Sequence, residues 1–102
     1  MSAGQRVAVG ATKTAAYTVD LAIDHIVRVD TNTTGAFTVT LPAGHVAGDV
    51  VVIKDVVGNC GVDNCTIDAN GSETIDGVAT FVMTVNYQSV ALVSDGTNWL
   101  VY

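Results

Sequence analysis

Charged side chains are scarce in this sequence of 102 residues. They make up 14% of it, with 4 Lys and Arg against 10 Asp and Glu and a formal net charge of −6, whereas soluble domains usually carry about 25% charged residues. Affinity for nucleic acid comes mainly from Lys and Arg that release counterions from phosphates. We therefore expect no nucleic-acid partner.

Long apolar runs are also missing. The longest aliphatic run inside the domain, Val50–Ile53, falls far short of the ~20 residues that span a bilayer. The beginning of the chain contains Arg6, but Gly10 and polar residues interrupt it, so it lacks the apolar core of a signal peptide. We expect no membrane association, no export by the general secretory route, and synthesis in the cytoplasm.

Leucine is too sparse for a helical bundle, whereas Val, Thr and Ile exceed a third of the chain. These β-branched residues favour strands, and turn signals containing Gly, Asn or Asp recur at short intervals, as in sandwiches and barrels. The sequence predicts a single all-β domain, an antiparallel sandwich or barrel-like fold of about eight or nine short strands. This domain covers residues 16–102 and follows an N-terminal arm, residues 1–15.

Alternation of apolar and polar residues marks two half-buried strands. It runs through Phe37–Leu41 and again through Phe81–Val85. Trp99 brings the largest aromatic area in the chain to the start of the last strand. We predict that Phe37, Phe81 and Trp99 belong to the core.

Two Asp-Gly dipeptides predict hairpins, because this dipeptide tolerates the positive φ of tight turns. They are Asp76–Gly77 and Asp95–Gly96. The tripeptide Thr66–Asp68 recurs as Thr74–Asp76. Two copies are too few for a solenoid, which needs at least three, so we interpret them as the similar arms of one hairpin.

Catalytic patterns are absent from the sequence. His25 and His45 are the two histidines, and no serine occupies a Gly-x-Ser-x-Gly elbow. Most acidic residues lie at turns or strand ends, and the segment Asp68–Glu73 lacks the ligand spacing of a calcium loop. No phosphate-binding glycine loop occurs. We expect no enzymatic activity, no cofactor and no metal.

Cys60 and Cys65 are the two cysteines, in a loop rich in Gly and Asn. A zinc site within one chain needs four ligands, and with no further Cys and no nearby His it cannot be completed. Redox catalysis would need Cys-x-x-Cys in a βαβ setting. Two alternatives stay open, a disulfide that closes the loop or two free thiols, and we favour a disulfide between Cys60 and Cys65 once the protein is oxidised.

Several apolar residues are available for contacts with other chains. A domain this small hides only about 60–70% of its unfolded surface, so much of its apolar surface stays outside, and we expect an oligomer. The segment around Val50 and Val52 is apolar on both faces, which indicates a strand at the middle of the domain or at a subunit boundary. The arm either orders against a partner or frays. The candidate contacts with other chains are Arg6, Val7, Val9, Val50 and Val52.

The chain resembles a small β-domain of tailed-bacteriophage virion proteins, which occurs in capsid decoration (cement) proteins, head fibres and the distal parts of tail fibres. The resemblance runs from about Tyr17 to Tyr102 and implies a structural protein, usually trimeric, with no catalytic residues. The Cys60/Cys65 loop departs from that pattern. The segments that carry the resemblance are Thr38–Pro42, Ile53–Asp55, Thr66–Asp68, Thr74–Gly77, Tyr87–Ser89 and Ser94–Trp99.

Little sequence precedes the domain, whereas a fibre needs a shaft and a segment for attachment to the virion. We therefore expect a capsid decoration protein, a homotrimer that binds the major capsid protein on the outer surface of the head. The alternative is a receptor-binding module at a tail or fibre tip, which would recognise a host glycan through loops such as Asn59–Asn64.

Overall fold

The fold consists of short β-strands. A computed structural model describes residues 6–102, and this part of the chain contains eight strands and no helix that could span a membrane. The predicted all-β class and strand number are confirmed. In chain order the strands are β1 (Tyr17–Thr18), β2 (Ile26–Val29), β3 (Phe37–Thr40), β4 (Val50–Asp55), β5 (Cys65–Asp68), β6 (Thr80–Met83), β7 (Ser89–Ser94) and β8 (Trp99–Val101).

The strands form two four-stranded sheets that make a sandwich. Sheet A has the order β2-β4-β7-β8 and sheet B the order β1-β3-β5-β6. From β1 to β5 the chain alternates between the sheets, so it enters each sheet again in the same direction. The pairs β1–β3, β3–β5 and β2–β4 are therefore parallel, whereas β4–β7, β5–β6 and β7–β8 are antiparallel.

The sequence predicted antiparallel strands throughout, and for three pairs this is wrong. An Asp-Gly dipeptide predicts a hairpin because the turn and both strands are adjacent in the chain. A parallel pair is separated by a crossover and leaves no comparable local signal. Each sheet contains both parallel and antiparallel pairs and is therefore mixed, and the sheets do not close into a barrel.

The core lies between the two sheets. Trp99 is fully buried, and Phe37 and Phe81 are half-buried and pack against the core from sheet B. Most of the fully buried aliphatic side chains come from alternate strand positions, as the pleat requires, whereas Leu41 and Ile75 lie outside the eight strands. The fully buried aliphatic side chains include Val27, Val29, Val39, Leu41, Val51, Ile53, Ile67, Ile75 and Leu92.

Both predicted hairpin turns are present. Asp76 and Gly77 have φ of +48° and +85°, and Ile75 and Val78 exchange two backbone hydrogen bonds across them, of 2.6 and 3.1 Å. This is the geometry of a two-residue primed turn. Asp95 begins the connection between β7 and β8.

The two similar tripeptides do not pair with each other, so their interpretation as one hairpin is wrong. Thr66–Asp68 lies in β5 between β3 and β6. Thr74–Asp76 lies against β8 instead, since Trp99 forms a parallel bridge with Ile75 and donates its N–H to the carbonyl of Thr74. The two similar tripeptides therefore contact different sheets, the first sheet B and the second sheet A.

The described part of the arm lies along β2 and extends sheet A by an irregular strand. Val9 forms a parallel bridge with Ile26, and Lys13 forms one with Val29. The guanidinium of Arg28 fastens the arm by donating from Nε to the carbonyl of Gly10 over 3.1 Å. The arm is thus ordered against its own domain and not only against a partner, because its backbone satisfies the open edge of β2.

Candidate interaction face

The outer face of sheet A is apolar at its centre. Side chains alternate between the faces of a strand, and Val51 and Ile53 of β4 point into the core. Val50 and Val52 therefore point outward. In register with them lie apolar residues of the neighbouring strands. We call this surface the sheet A face and define it as Ile26, Val50, Val52, Ala91, Val93 and Leu100.

The outer face of sheet B has the opposite character. Its register places polar residues beside one another, with Thr40 between Thr18 and Asp68, and Thr38 beside Thr66. Val82 of β6 is its apolar member. The same chain thus builds one sheet with a hydroxyl-rich outer surface and one with an aliphatic outer surface. An aliphatic face is typical of a sheet that is covered on both sides.

The candidate contact residues come together only in part. Val9 bridges to Ile26, whose register partner is Val52, so the arm and the sheet A face are continuous. Val7 and Arg6 are exposed at the beginning of the described chain. The sheet A face therefore includes Val50 and Val52 and is bordered by Val9, and Tyr102, 67% exposed, lies on its other side.

Two cations lie next to the apolar residues of the sheet A face on β2 and β4. Arg28 follows Ile26 by two positions on β2, and Lys54 follows Val52 by two positions on β4, and the two cations are register partners. Sequence reasoning did not select either residue. Its search for a basic patch relied on the total charge, which gives no sign that these two residues are neighbours.

A buried serine, a buried histidine and a half-buried glutamate form a hydrogen-bonded series that the sequence did not reveal. His45 hydrogen-bonds through Nδ1 to Oγ of Ser94 and through Nε2 to Oε1 of Glu73, the latter over 3.0 Å. The His45 ring also packs on Trp99 with 4.7 Å between ring centroids. Ser94 is 3% exposed, and its Oγ already accepts the N–H of Gly96. These hydrogen bonds therefore fasten the loop that carries His45 to Ser94 of β7, and the hydroxyl of Ser94 lies in the interior.

The carboxylate of Asp55 organises the loop after β4. It accepts five backbone N–H groups at 2.9–3.0 Å, from Val57, Gly58, Asn59, Cys60 and Tyr87. Burial by itself would raise its pKa, but the hydrogen bonds favour the charged form and lower the pKa to about 2. Asp55 thus holds in place both the loop that contains Cys60 and the backbone of Tyr87.

Cys60 and Cys65 are both free and buried, so the disulfide that the sequence favoured is not formed in this structure. Burial, the charge of Cys60 and the charge of Asp55 raise the pKa of Cys65 to about 12. Burial also raises the pKa of Cys60. Both sulfurs stay protonated near neutral pH and pack as small apolar groups. Residues 6–102 contain no group of three or more acidic, His or Cys side chains placed to hold a metal.

Comparison with protein-family models and with curated protein sequences finds no match. Any functional conclusion therefore depends on the sequence motifs and on the surfaces described above. The most distinctive of these surfaces is the sheet A face.

Proposed function

We propose that this protein is a capsid decoration protein of a tailed bacteriophage, which binds the outer surface of the head as a homotrimer and stabilises it without catalysis. The observation that carries the proposal is the sheet A face, an aliphatic surface on a domain whose other sheet is covered with threonine. Contiguous apolar surface of this kind marks contacts between proteins. The class of partner is taken from the resemblance of the sequence motifs to those of phage virion domains.

Multiple attachment explains how such a face can hold a protein on a capsid. Each sheet A face is small, so a single contact is expected to be weak. In a trimer, attachment of one copy raises the effective concentration of the next copy at its own site. The domain measures 41 × 33 × 19 Å, so each copy is a flat unit whose broad side is large enough to carry the sheet A face.

The test is binding of the purified protein to phage heads assembled without it. The double variant Val52→Thr/Val93→Thr changes methyl groups to hydroxyls at two register rows of the sheet A face. Val82→Thr makes the same change on the outer face of sheet B and is the matched control. We expect the double variant to bind heads about tenfold more weakly or worse, since each lost apolar contact costs about 1 kcal/mol, and the control to bind like wild type.

The proposed trimer is tested separately by size-exclusion chromatography with light scattering. A mass of three chains at micromolar concentration is expected. A monomer at that concentration would count against the trimer, and equal binding of the double variant and the control to heads would contradict the assignment of the sheet A face.

A receptor-binding module at a tail or fibre tip is the second candidate. It is favoured by the loop Asn59–Asn64, where Val62 is 76% exposed on a backbone that Asp55 holds in place. Copy number separates the two roles. Quantitative mass spectrometry of virions should find on the order of hundreds of copies for a decoration protein that binds by repeated contacts, and far fewer for a tail protein.

A further inference from the structure

Two like charges lie side by side on sheet A. Arg28 of β2 and Lys54 of β4 are register partners in a parallel pair and point to the same outer face. Neighbouring strands are about 4.8 Å apart, and like charges placed directly opposite one another destabilise a sheet. The sequence has four Lys and Arg in total, so placing two of them together is costly unless something compensates the charge.

Within the domain these two cations hydrogen-bond only to carbonyl groups, and Nζ of Lys54 also lies 6.0 Å from the centroid of the Tyr87 ring. Arg28 donates from Nε and Nη2 to the carbonyl of Gly10, and Lys54 donates from Nζ to the carbonyl of Tyr87. Among residues 6–102 the one ion pair within 4.0 Å joins His45 and Glu73. A guanidinium has five N–H donors and an ammonium has three, so both cations keep donors that are free to bind an anionic group.

Lys13 lies closer to an aromatic ring than Lys54 does. Its Nζ lies 4.2 Å from the centroid of the Tyr17 ring, a cation–π contact that balances part of its charge. The hydroxyl of Tyr17 in turn donates to Asp24 over 2.5 Å. The close contact with Tyr17 therefore offsets more of the charge of Lys13 than the 6.0 Å contact with Tyr87 does for Lys54. Neither Arg28 nor Lys54 has a described carboxylate within 4.0 Å.

The cation pair is continuous with the sheet A face. Arg28 and Lys54 occupy the next outward row after Ile26 and Val52, so the surface runs from aliphatic to cationic without a gap. Interfaces between proteins commonly have this arrangement, with an apolar centre and charged groups that set orientation at its border.

We propose that Arg28 and Lys54 bind a carboxylate side chain of the protein that covers the sheet A face. This inference rests on the proposed function and gives the chemistry of the partner: an apolar patch bordered by Asp or Glu. A second copy fits less well, because docking it face to face brings another cation pair to the same surface. Nucleic acid fits less well too, because the chain has a net charge of −6 and the adjoining rows are aliphatic.

The experiment measures binding to phage heads assembled without the protein, over a series of NaCl concentrations. The variants are Lys54→Gln and Arg28→Gln/Lys54→Gln, and Lys13→Gln is the matched control with the same loss of charge. For wild type and the control we expect affinity to fall as salt rises. For Lys54→Gln we expect affinity at low salt to fall about tenfold, and for the double variant we expect the salt dependence to be lost as well.

Thermal unfolding of each variant shows whether a loss of binding comes from a loss of stability. This control is needed because Arg28 also fastens the arm, whereas Lys54→Gln leaves that contact intact. If both variants bind heads like wild type at every salt concentration while Val52→Thr/Val93→Thr does not, the inference is wrong and the proposed function stands. If wild type does not bind heads, the proposed function and the inference both fail. Two further outcomes would overturn the carboxylate partner. One is a variant whose oligomeric state in solution differs from that of wild type, and the other is binding of wild type, but not of the variants, to duplex DNA.

Discussion

Asp55 shows how one side chain can define a loop. Its two oxygens accept five backbone N–H groups that no strand satisfies, and a buried N–H without a partner is costly. The Ile53–Asp55 segment is part of the sequence resemblance, but its spacing alone does not reveal that the acid turns inward. Four of the five donors follow it directly in the chain, and the fifth, Tyr87, comes from a distant loop.

Replacement of Asp55 by Asn should destabilise the fold strongly. An amide keeps one acceptor oxygen and places an NH₂ group against N–H donors, so we expect a loss of about 3 kcal/mol in the free energy of unfolding. Urea denaturation followed by circular dichroism measures this. Asp68→Asn is the control, because Asp68 points outward from β5, and a change there as large as that of Asp55→Asn would contradict the role of the N–H cluster.

The pH dependence of stability should carry the signature of Asp55. Its pKa is about 2 in the folded protein and about 3.9 in an unfolded chain, so the unfolded state binds its proton first. The stabilisation is complete above the unfolded value and is lost as pH falls from about 4 to 2, by about 2 kcal/mol. Urea midpoints between pH 6 and pH 2.5 measure the loss. Asp55→Asn should lack this part of the acid loss, and parallel pH curves for the two proteins would be inconsistent with it.

Gly58 is required in the same loop for two reasons. Its φ of +75° is unfavourable for other residues, and a Cβ there would lie 2.6 Å from Cζ of Tyr87. We expect Gly58→Ala to lower the free energy of unfolding by about 2–4 kcal/mol. Gly71→Ala has positive φ but open space around it and should cost only about 1 kcal/mol. Equal losses in denaturant titrations would show that contact with Tyr87 is unimportant.

At the scale of elements, local sequence patterns predicted the strands and turns whose conformation depends on residues adjacent in the chain. Alternation identified β3, and the Asp-Gly dipeptides identified the turns before Val78 and after β7, since the relevant φ angles and side-chain faces are set within a few residues. Parallel pairing and the course of the arm could not be predicted, because each depends on which distant edge is open. The sheet A face was predicted only through Val50 and Val52, since the strands that complete it lie far away in the chain.

The last strand should be indispensable. β8 brings Trp99 into the core and pairs with β7, and Asn98 accepts the N–H of Thr74 over 3.0 Å. We expect deletion of residues 98–102 to abolish soluble expression, because it removes the largest core side chain and exposes β7. Deletion of Tyr102 alone, which is mostly exposed, should leave a soluble protein. Soluble expression followed by circular dichroism tests both, and a folded protein without residues 98–102 would refute the role of β8.

At the scale of the whole molecule, the two sheets share one core and should unfold together. Trp99 reports on that core because it is fully buried and is the single tryptophan. We expect its fluorescence and the far-ultraviolet circular dichroism to give the same urea midpoint, as in a two-state transition. Separate midpoints would indicate that one sheet persists without the other.

The alternation of β1 to β5 between the sheets also bears on when the protein can fold. β4 lies between β2 and β7 in sheet A, so a chain emerging from the ribosome holds its central strand half-paired until nearly the whole sequence has been made. Folds dominated by such distant pairings form slowly, in milliseconds to seconds. Folding is therefore expected to follow synthesis and not accompany it, so that each chain meets its partners only after release.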